Sequence, residues 1–199
     1  MTISKETPSA IPKDNMKAFV FVGRKRPENE WNGVLASLGI EFHRFRDPES
    51  CWYQQDYWKQ QIQEAIDQHG SPDLSFGSSM GGWAALYFQP LVKAKSVLAF
   101  TPQATTIPEE MIAMGGKKNT TWGTNLKNIG YAGTRLPAPD GKAILYYGTD
   151  SKATADAEHR KVAESLGYKT EIINSTNHNL AGWLHEQGLL VDILKNALN

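Results

Sequence analysis

The chain has 199 residues, a length that suits one domain with a sizeable hydrophobic core. Its 21 lysine and arginine residues balance 21 aspartate and glutamate residues, so the charge gives no sign of a nucleic-acid partner or an anionic membrane surface. The single cysteine, Cys51, excludes an internal disulfide, and no apolar run approaches the roughly 18 residues of a membrane span. The polar segment 1–15 lacks the apolar stretch of a signal peptide. We therefore predict a flexible tail on a cytoplasmic protein.

The first half of the chain alternates short apolar runs with helical patterns. Three runs bounded by polar or turn residues predict strands, at residues 17–22, 40–45 and 73–76. Between these runs, apolar residues recur at helical spacing from Trp31 to Leu38 and from Trp58 to Ile66. Gly70 is placed to end the second of these two helices.

The second half continues the alternation around one irregular stretch. A helix is predicted from Met80 to Phe88, and another through residues 162–166. Further strands are predicted at residues 96–100, 143–147 and 169–174, and residues 180–194 form a closing helical segment. Residues 101–141 are rich in glycine and proline and have no regular pattern. A connection of that length in a compact domain predicts a lid-like insert.

This order of elements predicts the fold class. Strands and helices alternate about six times, and right-handed crossovers put the helices on both faces of a parallel sheet. We therefore predict an α/β fold over residues 16–199, a three-layer sandwich with a mostly parallel sheet of about six strands. In such sheets the active site lies at the carboxyl ends of the strands.

The pentapeptide Gly77-Ser78-Ser79-Met80-Gly81 has the Gly-x-Ser-x-Gly pattern of a nucleophile elbow. In this turn the serine has a strained backbone between a strand and a helix, and the glycines leave room for neighbouring backbone. A tight turn with a buried serine has the same pattern. The predicted strand before the motif and the small-residue helix after it favour Ser79 as a nucleophile.

A serine nucleophile needs a base, and the chain contains five histidines. His43 lies in a predicted strand and His69 ends a helix. His159 and His185 lie inside predicted helices, where we expect them to be exposed. Only His178 directly follows a strand end, after the last strand, and it is therefore the predicted general base.

The base in turn needs a carboxylate that orients it. Asp150 follows the strand 143–147 directly, one strand before His178, where the two loops can meet. Asp156 is the alternative, although a residue near the start of the next helix is commonly a helix cap. The topology favours Asp150 and leaves Asp156 open.

The order Ser79, Asp150, His178 resembles that of the α/β-hydrolase superfamily, in which the nucleophile precedes the acid and the base. The resemblance covers nearly the whole chain, residues 17–198, and the chain looks trimmed because it lacks the two leading strands of the family. The turn that carries Asp150 is one residue shorter than the family pattern. This departure keeps Asp156 as a candidate for the acid.

The resemblance also implies an oxyanion hole. It assigns one donor to the backbone N–H of Met80 and a second to the loop after the first strand, at Gly23 and Arg24. That loop lacks the His-Gly pair common in lipases. The strings 77–82 and 99–103 are similar to those of small bacterial serine hydrolases.

These residues predict hydrolysis of a carboxylic ester through an acyl-serine intermediate. The same three residues would also serve an acyltransferase or a thioesterase, and a binding or scaffold protein can keep the fold without turnover. We expect no metal, since the chain has no His-x-x-x-His pattern or paired cysteines, and no nucleotide cofactor, since no Gly-x-Gly-x-x-Gly follows a strand.

The insert offers the few clues to the substrate. Met111, Met114, Trp122 and Tyr131 would suit an apolar or sugar-stacking surface, or they pack the insert onto the body of the domain. We therefore expect a small-molecule or sugar-ester substrate.

Overall fold

A computed structural model describes residues 16–23, 31–140, 142–149 and 152–198, and two predicted site residues, Arg24 and Asp150, lie outside these ranges. One sheet runs through the described residues, with its six strands in the order β2-β1-β3-β4-β5-β6 and every neighbouring pair parallel. The strands are β1 (Lys17–Gly23), β2 (Glu41–Asp47), β3 (Leu74–Ser78), β4 (Ser96–Phe100), β5 (Ala143–Gly148) and β6 (Lys169–Ile173). The predicted parallel sheet is confirmed, and each strand falls on the run that predicted it.

Helices connect successive strands, as parallel pairing requires. They are α1 (Asn32–Ser37), α2 (Tyr57–His69), α3 (Met80–Tyr87), α4 (Gln89–Val92), α5 (Pro108–Met114), α6 (Lys117–Asn128), α7 (Asp156–Ser165), α8 (Leu180–Glu186) and α9 (Leu190–Leu198). Over the described ranges, none of them has the length and apolar character needed to cross a lipid bilayer.

Two hydrophobic cores form, one on each face of the sheet. Side chains alternate along β1, so that Phe19 and Phe21 join one core while Val20 joins the other. The first core packs α2, α3 and α7 against the sheet, and the second packs α1, α8 and α9. Because β1 is covered on both faces, its apolar run is continuous rather than alternating. The predicted three-layer sandwich is confirmed.

The chain direction across the sheet reverses beside β1, which lies between β2 and β3. The chain passes from β1 to β2 on one side of β1, and then crosses to β3 on the other side of β1. A reversal of this kind opens a crevice at the carboxyl ends of the strands, where ligands bind in open α/β sheets. The turn after β3 lies at this crevice.

The insert (residues 101–141) contains two helices, α5 and α6, where the sequence had indicated no regular pattern. Helix α6 contains three threonines, three asparagines and one glycine, which are weak helix formers. Tertiary packing compensates for this. A Cβ at Gly123 would lie 2.8 Å from the carbonyl oxygen of Pro108, so glycine allows the two helices to pack closely. The closing helical segment also differs, because Gly188, with a φ of +72°, separates α8 from α9.

Candidate active site

Ser79 occupies the turn between β3 and α3 in a strained backbone conformation. Its φ of 55° and ψ of −121° are unusual for a residue other than glycine. Hydrogen bonds hold the turn on both sides. The Ser79 N–H donates to the carbonyl of Phe100 over 2.8 Å, and the Ser79 carbonyl accepts the N–H of Trp83 over 2.9 Å. This is the strained strand-to-helix geometry that characterises a nucleophile elbow.

The two outer glycines of the motif are needed because backbone passes against them. A Cβ at Gly77 would lie 2.3 Å from the carbonyl carbon of Gly81, and a Cβ at Gly81 would lie 2.0 Å from the carbonyl oxygen of Phe21. Neither distance is compatible with a side chain. The turn therefore requires both glycines, and their presence brings β1 and α3 close to Ser79.

His178 connects the Ser79 hydroxyl to a buried carboxylate. His178 Nε2 lies 2.9 Å from Ser79 Oγ, and His178 Nδ1 lies 2.8 Å and 3.0 Å from the two carboxylate oxygens of Asp156. An ionised carboxylate only accepts hydrogen bonds, so the Nδ1–H of His178 donates to Asp156. Neutral His178 then has a free lone pair on Nε2, which accepts the hydroxyl proton of Ser79.

The carboxylate beside His178 is thus Asp156, whereas the sequence had favoured Asp150. Asp150 lies outside the described residues. Asp156 is the first residue of α7 and is 2% exposed. Its side chain does not cap α7, because the N-cap residue is Ala155 and no side-chain hydrogen bond caps the helix. The carboxylate is therefore available to the imidazole.

The loop that carries His178 is tied to two neighbouring strands. The Thr101 hydroxyl, just after β4, donates to the carbonyl of His178 over 2.7 Å. Near the end of β5, the Thr149 N–H donates to the carbonyl of Ser175 over 2.8 Å. A Cβ at Gly148 would lie 2.3 Å from that same carbonyl oxygen, so glycine allows the loop to approach. These contacts fix the backbone from which the imidazole projects.

One further side chain contacts the Ser79 hydroxyl, and two tryptophan rings lie beside its neighbours. The buried amide of Gln103 donates from Nε2 to Ser79 Oγ over 3.3 Å, and its Oε1 accepts the indole N–H of Trp52 over 3.0 Å. Trp122, on α6, has its ring 5.8 Å from that of His178 and 5.7 Å from that of Trp52. Sequence reasoning missed Gln103 and Trp52 as site residues. A polar side chain just after the carboxyl end of β4 was the one available signal for Gln103.

His159 is fully buried, so the expectation that it would be exposed is wrong. The Ala104 N–H donates to its Nδ1 over 3.1 Å, and its Nε2 lies 3.0 Å from Asn119 Oδ1. Burial lowers the pKa of His159 to about 4, against opposing effects of nearby carboxylates. Because Nδ1 accepts, Nε2 carries the proton, and neutral His159 has both ring nitrogens paired.

The backbone N–H of Met80 is the oxyanion donor suggested by the family resemblance. Met80 is the first residue of α3, and a first-turn N–H has no partner within its helix. The end of β1 adjoins this residue, since a Cβ at Gly23 would lie 3.2 Å from Met80 Cε. Arg24, suggested as the second donor, lies outside the described residues.

Cys51 is the one cysteine of the chain, and its surroundings disfavour it as a nucleophile. Cys51 is buried, and its thiol contacts the carboxylate of Asp47. Burial and this carboxylate raise the pKa of Cys51 to about 11, which makes it a poor nucleophile at neutral pH. Across the part of the chain that the structure describes, no group of three histidine, cysteine, aspartate or glutamate residues is arranged to hold a metal ion.

Comparisons with known proteins support the fold. No family model matches the chain, and no curated protein matches it in sequence. Many solved structures do match it. A putative hydrolase of the alpha/beta superfamily from Xanthomonas campestris pv. campestris superimposes with a TM-score of 0.56 at 12% identity, over 91% of this chain and 97% of that one.

Two other matches carry different activities on the same fold. An esterase domain from a Rhodothermus marinus protein has a TM-score of 0.57 at 13% identity and covers 96% of this chain and 92% of its own. The capsule O-acetyltransferase of Neisseria meningitidis serogroup A has a TM-score of 0.57 at 15% identity and covers 90% and 88%. At these identities the matches establish the α/β-hydrolase fold, and the chemistry has to be argued from the site.

Proposed function

We propose that this chain, which has the α/β-hydrolase fold, is a serine hydrolase that cleaves a carboxylic ester through an acyl-serine intermediate. One observation carries the proposal: Ser79 Oγ, His178 and Asp156 form a continuous hydrogen-bonded chain at the carboxyl ends of the strands. In the proposed triad Ser79 is the nucleophile, His178 the general base and Asp156 the orienting carboxylate. Asp156 takes the role for which the sequence preferred Asp150.

The first half of the reaction forms the acyl-enzyme. Ser79 Oγ attacks the ester carbonyl carbon while its proton passes to Nε2 of His178. Asp156 accepts the Nδ1–H of His178 and stabilises the imidazolium that forms. The tetrahedral intermediate collapses when Nε2–H returns the proton to the alkoxy oxygen, and the alcohol leaves.

The second half regenerates the serine. A water molecule gives a proton to His178 Nε2 as its oxygen attacks the acyl carbonyl, and Ser79 Oγ leaves with the proton that the imidazolium returns. The product is a carboxylic acid. Both halves need the neutral imidazole as the initial base, and the pairing of Nδ1 with Asp156 favours the required tautomer.

An oxyanion forms in both halves and needs donors. We assign one donor to the Met80 N–H, which the helix leaves unpaired at the end facing the crevice. The start of α3 adds the positive end of a helix dipole. We keep the loop beginning at Arg24 as the source of a second donor.

The acyl acceptor defines the activity within this class. We propose water as the acceptor and a small-molecule or sugar ester as the substrate, since the half-buried indole of Trp122 lies beside His178 and can stack on a ring. An alcohol acceptor would make the protein an acyltransferase, like the capsule O-acetyltransferase that shares the fold. A cytoplasmic location remains part of this proposal, supported by the single, unpaired cysteine.

A fluorophosphonate probe tests the nucleophile directly. We expect the folded protein to be labelled on Ser79 and the Ser79→Ala variant to remain unlabelled. A panel of esters of increasing acyl length, with acetylated sugars, then defines the substrate, and added alcohols reveal transfer as a loss of free acid. A folded protein that neither labels nor turns over any ester would favour the scaffold alternative.

A further inference from the structure

Gln103 lies at the centre of the polar contacts around the proposed nucleophile. Its side chain is fully buried just after β4, and both ends of its amide are used. Oε1 accepts the Trp52 indole N–H over 3.0 Å, and Nε2 donates to Ser79 Oγ over 3.3 Å. The amide thus connects Trp52 to the atom that would attack the substrate.

The orientation of this amide is fixed by its partners. An indole nitrogen donates and cannot accept, so the Gln103 oxygen has to face Trp52. The NH₂ group then faces Ser79. In the flipped orientation the NH₂ group would face the indole N–H, leaving buried donors unpaired, which is strongly unfavourable. Trp52 therefore selects the orientation in which Gln103 donates to Ser79.

We propose that Gln103 is a catalytic residue of the reaction assigned above, and that Trp52 is its positioning residue. The inference rests on the proposed function, because it gives Ser79 Oγ the role of nucleophile. The hydroxyl oxygen has one proton and two lone pairs. His178 Nε2 accepts the proton, and Gln103 occupies one lone pair, so the remaining lone pair is the one directed at the substrate carbonyl.

The same donor also acts when the acyl-enzyme breaks down. Ser79 Oγ is then the leaving atom and gains electron density before His178 returns its proton. The Gln103 N–H, preorganised beside that oxygen, stabilises the added charge without any proton moving on the amide. Gln103 thereby acts on the serine oxygen itself, whereas the oxyanion donors act on the carbonyl oxygen.

The loop after β2 holds Trp52 in place. Trp52 and Tyr53 both have a left-handed backbone, with φ of 56° and 55°. The buried carboxylate of Asp47, at the end of β2, accepts the N–H groups of Cys51 and Tyr53 over 2.9 Å and 3.1 Å. These bonds secure the turn on either side of Trp52, so its indole is presented to Gln103 from a rigid loop.

The test uses three single variants and one double variant. Gln103→Met removes the amide with little change of volume, and Trp52→Phe removes the N–H that orients it. Trp58→Phe is the matched control, since Trp58 Nε1 donates to Gln55 Oε1 over the same 3.0 Å but without a contact to Ser79. Each variant is measured for ester kcat/KM, for the rate of fluorophosphonate labelling and for thermal unfolding.

We expect Gln103→Met to lower kcat/KM and the labelling rate about threefold to tenfold, the effect of one neutral hydrogen bond. Trp52→Phe should lower both in the same direction, and the double variant should match Gln103→Met alone, because Trp52 acts through Gln103. Trp58→Phe should keep wild-type rates. A general loss of packing would instead lower the rates of the double variant below those of Gln103→Met alone.

Several outcomes would overturn the inference. Wild-type rates in Gln103→Met would remove Gln103 from catalysis while leaving the esterase assignment intact. If the rate losses of Gln103→Met and Trp52→Phe multiply in the double variant, Trp52 does not act through Gln103. If Gln103→Met fails to fold, the comparison of Trp52→Phe with Trp58→Phe decides. Equal kcat/KM and equal labelling rates in these two variants would refute the proposal. A wild-type protein that is never labelled would instead refute the proposed function, and the role of Gln103 with it.

Discussion

Acidification should destabilise this fold through His159, a residue outside the proposed chemistry. Neutral His159 accepts the Ala104 N–H and donates to Asn119, whose own amide donates to the Met111 carbonyl over 2.6 Å. This network joins α7 to both helices of the insert. A proton on Nδ1 would replace the acceptor with a donor that faces the Ala104 N–H, and it would leave a charge in a fully buried position.

The size of the effect follows from the pKa of His159, which burial lowers from 6.5 to about 4. Between pH 4 and pH 6.5, His159 therefore binds a proton in the unfolded chain but not in the folded chain. For a histidine whose pKa is lowered by folding, stability is retained above pH 6.5 and lost as the pH falls toward 4. Proton linkage gives a loss of about 2 kcal/mol by pH 5 and about 3 kcal/mol at full protonation.

Urea unfolding at pH 7 and pH 5 measures this loss, with His159→Gln as the comparison. Glutamine keeps a donor and an acceptor but does not titrate, so its cost should be similar at both pH values. We expect the wild-type midpoint to fall by roughly 1 M more than that of the variant between the two conditions. Carboxylates that titrate in the same range affect both proteins and cancel. Equal decreases in wild type and variant would refute the assignment of this loss to His159.

The remaining predictions concern the proposed triad. Ser79→Ala should lower kcat by about 10⁴ to 10⁶ with little change in thermal unfolding, and an esterase rate near wild type would remove Ser79 as the nucleophile. Asp156→Asn should lower kcat by about 10⁴, far more than Asp150→Asn, and the reverse ranking would return the acid role to Asp150. His178→Ala should lower kcat by about 10⁴ to 10⁶, because Ser79 then has no base to accept its proton. A rate near wild type in that variant would exclude His178 as the base.

The sheet could be predicted because its strands carry their signal locally. Strand β1 is buried on both faces, so its residues form an uninterrupted apolar run that ends at a glycine. The turn after β3 could also be predicted from sequence, because the close backbone contacts of Gly77 and Gly81 require glycine at fixed spacing from Ser79. In both cases the physical constraint acts on residues that are neighbours in sequence.

The features that were missed depend on distant contacts. Helix α6 forms from weak helix formers because it packs against α5, and His159 is buried where Asn119 of that helix pairs with it. The choice between Asp150 and Asp156 depends on the path of the loop after β5, which spacing alone does not determine. The role proposed for Gln103 depends on Trp52, which the loop after β2 brings to it.

The position of Trp122 bears on how this scaffold can be engineered. Its indole lies beside both His178 and Trp52, so α6 supplies part of the surroundings of the proposed base. Grafting a foreign insert between β4 and β5 would therefore alter the surroundings of the His178 imidazole. Directed evolution of new substrate preferences should vary the insert and the loop around Trp52 in one library, because these two segments do not behave as independent modules.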